Sequence, residues 1–305
     1  MSKSTRFAAA LTLVSIARTA GNLPAQLAPG VNTGYAAKML CSTLFVSHRP
    51  LAVALGQDLR LAARVPYRVD SASRSVVAWI PGLEVRRAVF QDRLGCTLRP
   101  DSSLGPVAAR GRPSKPPTLP QTLWPAGERI DTTRLPAGVN TARLGAALDS
   151  AFAEPGVDST RRTRGIVVAW NGHIVAERYA KGFDATTPQL GWSMTKSVTN
   201  ALVGTLVKQG RLAADRPADV PEWKGAGDPR SAIRLDDLMR MSSGLAFDET
   251  YTGVASDVAK DLFMADDAGA YAASLPLADP IGSRWSYSSG TTNIISRPAT
   301  NGHSP

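Results

Sequence analysis

Ser193 and Lys196 stand three residues apart in GWSMTK (191–196), at the start of a helical run. Residues i and i+3 of a helix share a face one turn apart, so the hydroxyl and the amine can touch. A serine hydroxyl is a poor nucleophile until a neighbouring group takes its proton. A lysine does this only when neutral, and both burial and the positive end of a helix dipole favour the neutral amine. The helix start also turns backbone N–H groups toward charge developing on a substrate oxygen. The alternative for such a pair is two solvated surface residues.

A second cluster lies far downstream. RWSYSSGTTNIIS (284–296) carries Tyr287 and Ser289, with a glycine and polar residues behind them. Its alternative is a rim tyrosine in a serine-rich turn. Other chemistries lack their residues. A Ser-His-Asp triad needs a histidine aimed at its serine, and the three histidines are His48, His173 and His303. Of these, His173 reads best as a polar hairpin residue. GWSMT also fails the G-x-S-x-G elbow, because Thr195 stands where the second glycine belongs. There is no P-loop, no strand-borne G-x-G-x-x-G and no H-E-x-x-H. No cofactor and no metal site is expected.

The elements that must position these residues follow from pattern. ARLGAALDSAFAE (142–154) has helical apolar spacing. GIVVAW and HIVAERYA read as strands joined through Asn171-Gly172, a strong hairpin signal. From Met194, the residues Met194, Val198, Ala201, Leu202 and Leu206 form one largely apolar face, with Thr205 its only polar member and Gly210 as the helix stop. RLDDLMRMSSGL (234–245) predicts a short helix ending in a turn. STLFVS (42–47) and SVVAWI (75–80) predict strands. NIIS predicts a helix start that Pro298 stops.

WSMTKSVTNALVGTLVKQGRL, then LDDLMRMSSGL, then GSRWSYSSGTTNII resembles the serine hydrolases of the class C β-lactamase and penicillin-binding-protein type. Esterases, D-aminopeptidase-like enzymes and 6-aminohexanoate-dimer hydrolases share that group. The resemblance spans about residues 140 to 297. It implies an α+β fold: an antiparallel sheet flanked by helices, with an all-helical subdomain. It implies Ser193 as the acyl-accepting nucleophile and Lys196 as the group that takes or relays its proton. Tyr287 matches the tyrosine of the Y-x-N/S motif and would share the proton with the leaving group. Its ordinary pKa of about 10 makes it depend on the lysine charge. Ser289 stands where many relatives have Asn, which leans toward the broader esterase and amidase group. Trp192 would line the pocket or take a buried packing role.

The family's Lys/His-Thr/Ser-Gly strand has no match after Ser289, and RPATNGHSP ends the chain. The sequence is therefore expected to be a truncated member, with activity of the isolated chain in question. A non-hydrolytic penicillin-binding or peptidoglycan-recognising relative, or an inactive fragment, is the alternative reading.

Composition sets the remaining expectations. The chain has 305 residues and a net charge of +10. Residues 1–120 hold 16 Lys/Arg against 5 Asp/Glu, so the basicity belongs to that third. The arginines are scattered, without a nucleic-acid-binding motif, so no nucleic acid partner is expected. Peripheral membrane or cell-wall association is the sharper reading of the charge, with the basic third as an interaction module in its strongest form. The partner expected at the site is a small ester or amide, and nothing specifies an oligomer. Lys3 and Arg6 before the apolar run Phe7–Ala17 give a signal-peptide layout, implying export to the periplasm or cell envelope. Without it the protein would be cytoplasmic. Cys41 and Cys96 would pair in an exported protein and stay as thiols in the cytoplasm. The expected organisation is a signal peptide (1–30), an N-terminal unit (31–105), a Pro-rich linker (106–140), the catalytic region (141–297) and an aberrant tail (298–305).

Overall fold

The computed structural model describes residues 29–92, 94–100, 118, 120–131, 133, 135–156, 161–251 and 256–300. The expected signal peptide, the tail beyond residue 300 and much of the Pro-rich linker lie outside them. The chain divides into two compact units, one spanning Asn32–Ala214 and the other built on Asp215–Pro305. Their boundary falls inside the region expected as 141–297. The composition of elements is α+β.

The first unit opens with helix α1 (Pro29–Phe45) and helix α2 (Leu51–Gln57). A four-stranded antiparallel meander follows: β1 (Tyr67–Asp70), β2 (Ser75–Ile80), β3 (Glu84–Gln91) and β4 (Gly95–Pro100), in that spatial order. Its register pairs Val76 with Ala88 and Phe90 with Cys96. The core of the unit forms where Ala36, Ala37, Leu40 and Cys41 of α1 meet Val76, Ala78 and Ala88 of the sheet. Burying a side chain the size of Leu40 contributes about 1.5–3 kcal/mol. A disulfide joins Cys41 of α1 to Cys96 of β4.

SVVAWI forms strand β2 as expected, whereas STLFVS does not form a strand. Ser42–Phe45 is the last turn of α1. Ala36, Ala37, Met39, Leu40 and Cys41 are all buried just upstream, so helical packing overrides the β-propensity of Thr43 and Phe45.

Helix α3 (Thr141–Phe152) begins at Asn140, whose side chain accepts the Arg143 N–H at 2.9 Å. Strands β5 (Gly165–Trp170) and β6 (His173–Tyr179) pair as an antiparallel hairpin. Asn171 and Gly172 at its tip both have positive φ, 46° and 75°, as a type I′ turn demands. Helix α4 (Met194–Lys208) closes the unit, with Gly210 at φ 70° ending it.

The second unit is helical. It contains α5 (Leu235–Met239), α6 (Asp257–Phe263), α7 (Ala268–Ser274) and α8 (Ser289–Thr300). Trp223, Ile233, Leu238, Val258 and Ile294 are almost fully buried in it. The Trp223 indole N–H donates to the Ala273 carbonyl at 2.9 Å. Two glycines permit close approaches. A Cβ on Gly269 would lie 2.7 Å from the Asn293 carbonyl oxygen, and one on Gly290 would lie 2.5 Å from the Phe247 ring. Helix α8 starts four residues before Asn293 and includes Pro298, so the expected stop there is not where the helix ends.

Candidate active site

The segment Pro188–Trp192 leads into α4. Trp192 has φ 43°, a conformation uncommon for a bulky residue and one found where local structure holds a functional group in place. The chain then tightens. Met194, Thr195 and Lys196 donate their N–H groups to Gly191, Trp192 and Ser193 carbonyls at 3.0–3.1 Å. The Thr195 hydroxyl adds a 2.6 Å bond to the Trp192 carbonyl. Among the described residues, the Ser193 N–H has no acceptor in this turn. Lys196 Nζ lies 3.1 Å from Ser193 Oγ, so the helical spacing brings the two groups together as expected.

Most of the apolar face read from the sequence is not buried, and of its members only Leu206 turns inward. Met194, Val198 and Leu202 are 69%, 60% and 60% exposed. Helix α4 instead turns Lys196, Thr199, Val203, Leu206 and Val207 inward, with Val203 fully buried. This stripe also follows 3.6-residue spacing, and the apolar count alone pointed to its neighbour. Lys196 is therefore half-buried while Ser193 is exposed.

Tyr287 and Ser289 belong to the helical unit. Tyr287 is half-buried, its ring 6.4 Å from that of Trp285. Ser289 is buried at the first turn of α8. Its N–H and its hydroxyl both donate to the carboxylate of Glu249, at 2.7 and 2.6 Å. An anion at a helix N-terminus is also favoured by the helix dipole. Tyr251 donates to the same carboxylate at 3.4 Å. Glu249 thus fixes the backbone two residues beyond Tyr287. Sequence reasoning did not single it out, because an acidic residue 40 positions upstream in a loop has no spacing signal. Turn geometry supports the loop from the other side. Asp237 caps α5 by accepting the Arg234 N–H and two guanidinium bonds at 3.0–3.1 Å. Gly244 then reverses the chain at φ 78°.

His173 is an exposed residue at the hairpin tip. Among the described residues no group of three or more His, Cys, Asp or Glu is arranged to hold a metal, and no helix is long and apolar enough to cross a membrane.

The model of the Beta-lactamase family matches residues 148–298, which include all four candidate residues. Over these residues, just under half of the chain, the sequence is similar to the beta-lactamase family. Solved structures match as well. One, from Bacillus anthracis and provisionally named a 6-aminohexanoate-dimer hydrolase, is 21% identical with a TM-score of 0.35. The match covers 53% of this chain and 43% of that one, so the chain spans under half the length of that relative. No curated protein matches the sequence. The family match covers α4, α5 and the start of α8, the three blocks in which the sequence resemblance lay.

Proposed function

We propose that the protein is a serine hydrolase of this family that forms an acyl-enzyme on Ser193 and hydrolyses a small ester or amide. The 3.1 Å contact between Lys196 Nζ and Ser193 Oγ carries this reading. With the amine neutral, Lys196 accepts the hydroxyl proton as Oγ attacks the substrate carbonyl carbon. The C–O or C–N bond to the leaving group then breaks, and the leaving group takes up a proton. Tyr287, matched to the family's tyrosine, shares that transfer. Water attacks the acyl-enzyme by the same route in reverse and frees Ser193. The Ser193 N–H supplies one donor for the oxyanion, an interaction worth roughly 10²–10³ in rate in comparable sites. Glu249 acts as a positioning residue by anchoring the turn that bears Tyr287. Ser289 contributes a hydroxyl oxygen beside that turn. Export to the cell envelope, with the basic N-terminal third facing an acidic surface, is the setting that fits the charge pattern.

Stopped-flow hydrolysis of p-nitrophenyl acetate tests the reading. One equivalent of nitrophenol released in a burst, then steady turnover, is expected. Lys196→Met should slow the burst by roughly 10²–10⁴, the usual contribution of a general base. A burst without turnover points to the acyl-trapping alternative. Absence of a burst, or a burst unchanged in Lys196→Met, contradicts the mechanism.

A further inference from the structure

We propose that the cavity of about 500 Å³ within the Asn32–Ala214 unit binds a small amphiphilic carboxylate, its anionic head on Lys38 and its apolar chain toward Leu190 and Trp192. The size is that of a ligand pocket rather than a packing defect. Three observations carry the chemistry.

The first is charge. Lys38, Arg49 and Arg164 line the cavity against a single lining carboxylate, Asp58. Arg49 donates to Asp58 at 2.7 Å, and Arg164 also hydrogen-bonds it. Both guanidinium groups further sit over the Phe183 ring, at 5.3 and 4.7 Å. Asp58 is therefore already neutralised. Among the described residues Lys38 donates only to the Cys96 carbonyl and pairs with no carboxylate. Its amine is half-buried, and burial holds its pKa below the ordinary lysine value. A desolvated ammonium without a counter-charge is costly, and a bound carboxylate removes that cost.

The second is the rim. Leu94, Leu190 and Trp192 are each more than half exposed, and all three border the cavity. Large apolar side chains gathered around a concave opening mark a surface that an apolar group covers. The third is the floor, where Met39 and Leu59 are buried and apolar. The disulfide between Cys41 and Cys96 ties the two walls that bear Lys38 and its carbonyl partner. A cation would meet three positive groups here, and a neutral ligand would leave Lys38 unpaired.

The proposal stands apart from acylation of Ser193, because it is read by equilibrium binding. Isothermal titration of the full chain with octanoate and with its neutral isostere octanamide tests it. Octanoate is expected to bind saturably at one site in the low-millimolar range or tighter. Octanamide should bind at least about tenfold more weakly, the scale of one charge-assisted hydrogen bond. Lys38→Met should remove the preference while keeping the circular-dichroism melt. If that variant does not fold, the comparison of the two ligands on the unaltered protein decides. Equal affinities, absence of saturable octanoate binding, or a preference intact in folded Lys38→Met would each overturn the proposal.

Discussion

Replacing Glu249 by alanine removes the acceptor that holds the first turn of α8. Two charge-assisted hydrogen bonds are lost, from the Ser289 N–H at 2.7 Å and the Ser289 hydroxyl at 2.6 Å. Each is worth about 1.5–3 kcal/mol in a dry site. Glu249 is itself only half-buried, so water reaches the vacated place and lowers the sum. The lost anion at the helix N-terminus adds about 0.3–1 kcal/mol. A local cost of roughly 2–3 kcal/mol results. At about 1.36 kcal/mol per tenfold, amide exchange of Ser289 should quicken about 30- to 150-fold. Hydrogen exchange followed by NMR measures this directly at Ser289 and Thr291, with Leu148 of α3 as the internal control. Glu249→Gln keeps one acceptor oxygen and should give about half the free-energy change. Exchange at Ser289 unchanged within threefold in Glu249→Ala would refute the anchoring role. So would an equal change at Leu148, which would mark a global effect.

Asp237 is buried, and hydrogen bonds from Arg234 hold its carboxyl below the ordinary aspartate range. A depressed folded-state pKa contributes stability that is complete above the unfolded value of about 4 and is lost as pH falls through the folded one. Asp237→Asn should therefore destabilise the protein near neutrality by about 1–3 kcal/mol, and chemical denaturation at several pH values should show a shallower acid-side loss. The 55-residue separation of Cys41 and Cys96 predicts that Cys41→Ser with Cys96→Ser costs roughly 2–4 kcal/mol, read as a lower urea midpoint. Gly290→Ala should cost about 1–3 kcal/mol, because its Cβ would fall 2.5 Å from the Phe247 ring. A thermal melt unchanged within 1 °C would show that the ring has room to move.

Local signals in the sequence translated well where one interaction decides the outcome. Asn171-Gly172 predicted the β5–β6 turn because both residues tolerate positive φ. The i, i+3 spacing predicted the Ser193–Lys196 contact because helix geometry alone fixes it. Long-range packing was less legible. The Ser42–Phe45 stretch carries strand propensity, yet a helix that buries Leu40 and Cys41 runs through it. The apolar face counted on α4 was one stripe away from the stripe that packs, since adjacent stripes of a short helix differ by few residues. Glu249 was invisible because its role depends on a loop meeting a helix start 40 residues later. Lys38 likewise reads as one of several scattered basic residues until α1 and β4 place its amine beside the Cys96 carbonyl.

The central claim is that Ser193 becomes covalently acylated with help from Lys196. Intact-mass analysis of the full chain, quenched in acid during p-nitrophenyl acetate turnover, tests it most directly. A single added acetyl group mapped by peptide sequencing to Ser193, and absent from Ser193→Ala, is the expected result. An adduct located on another residue, or one that persists in Ser193→Ala, would contradict the account.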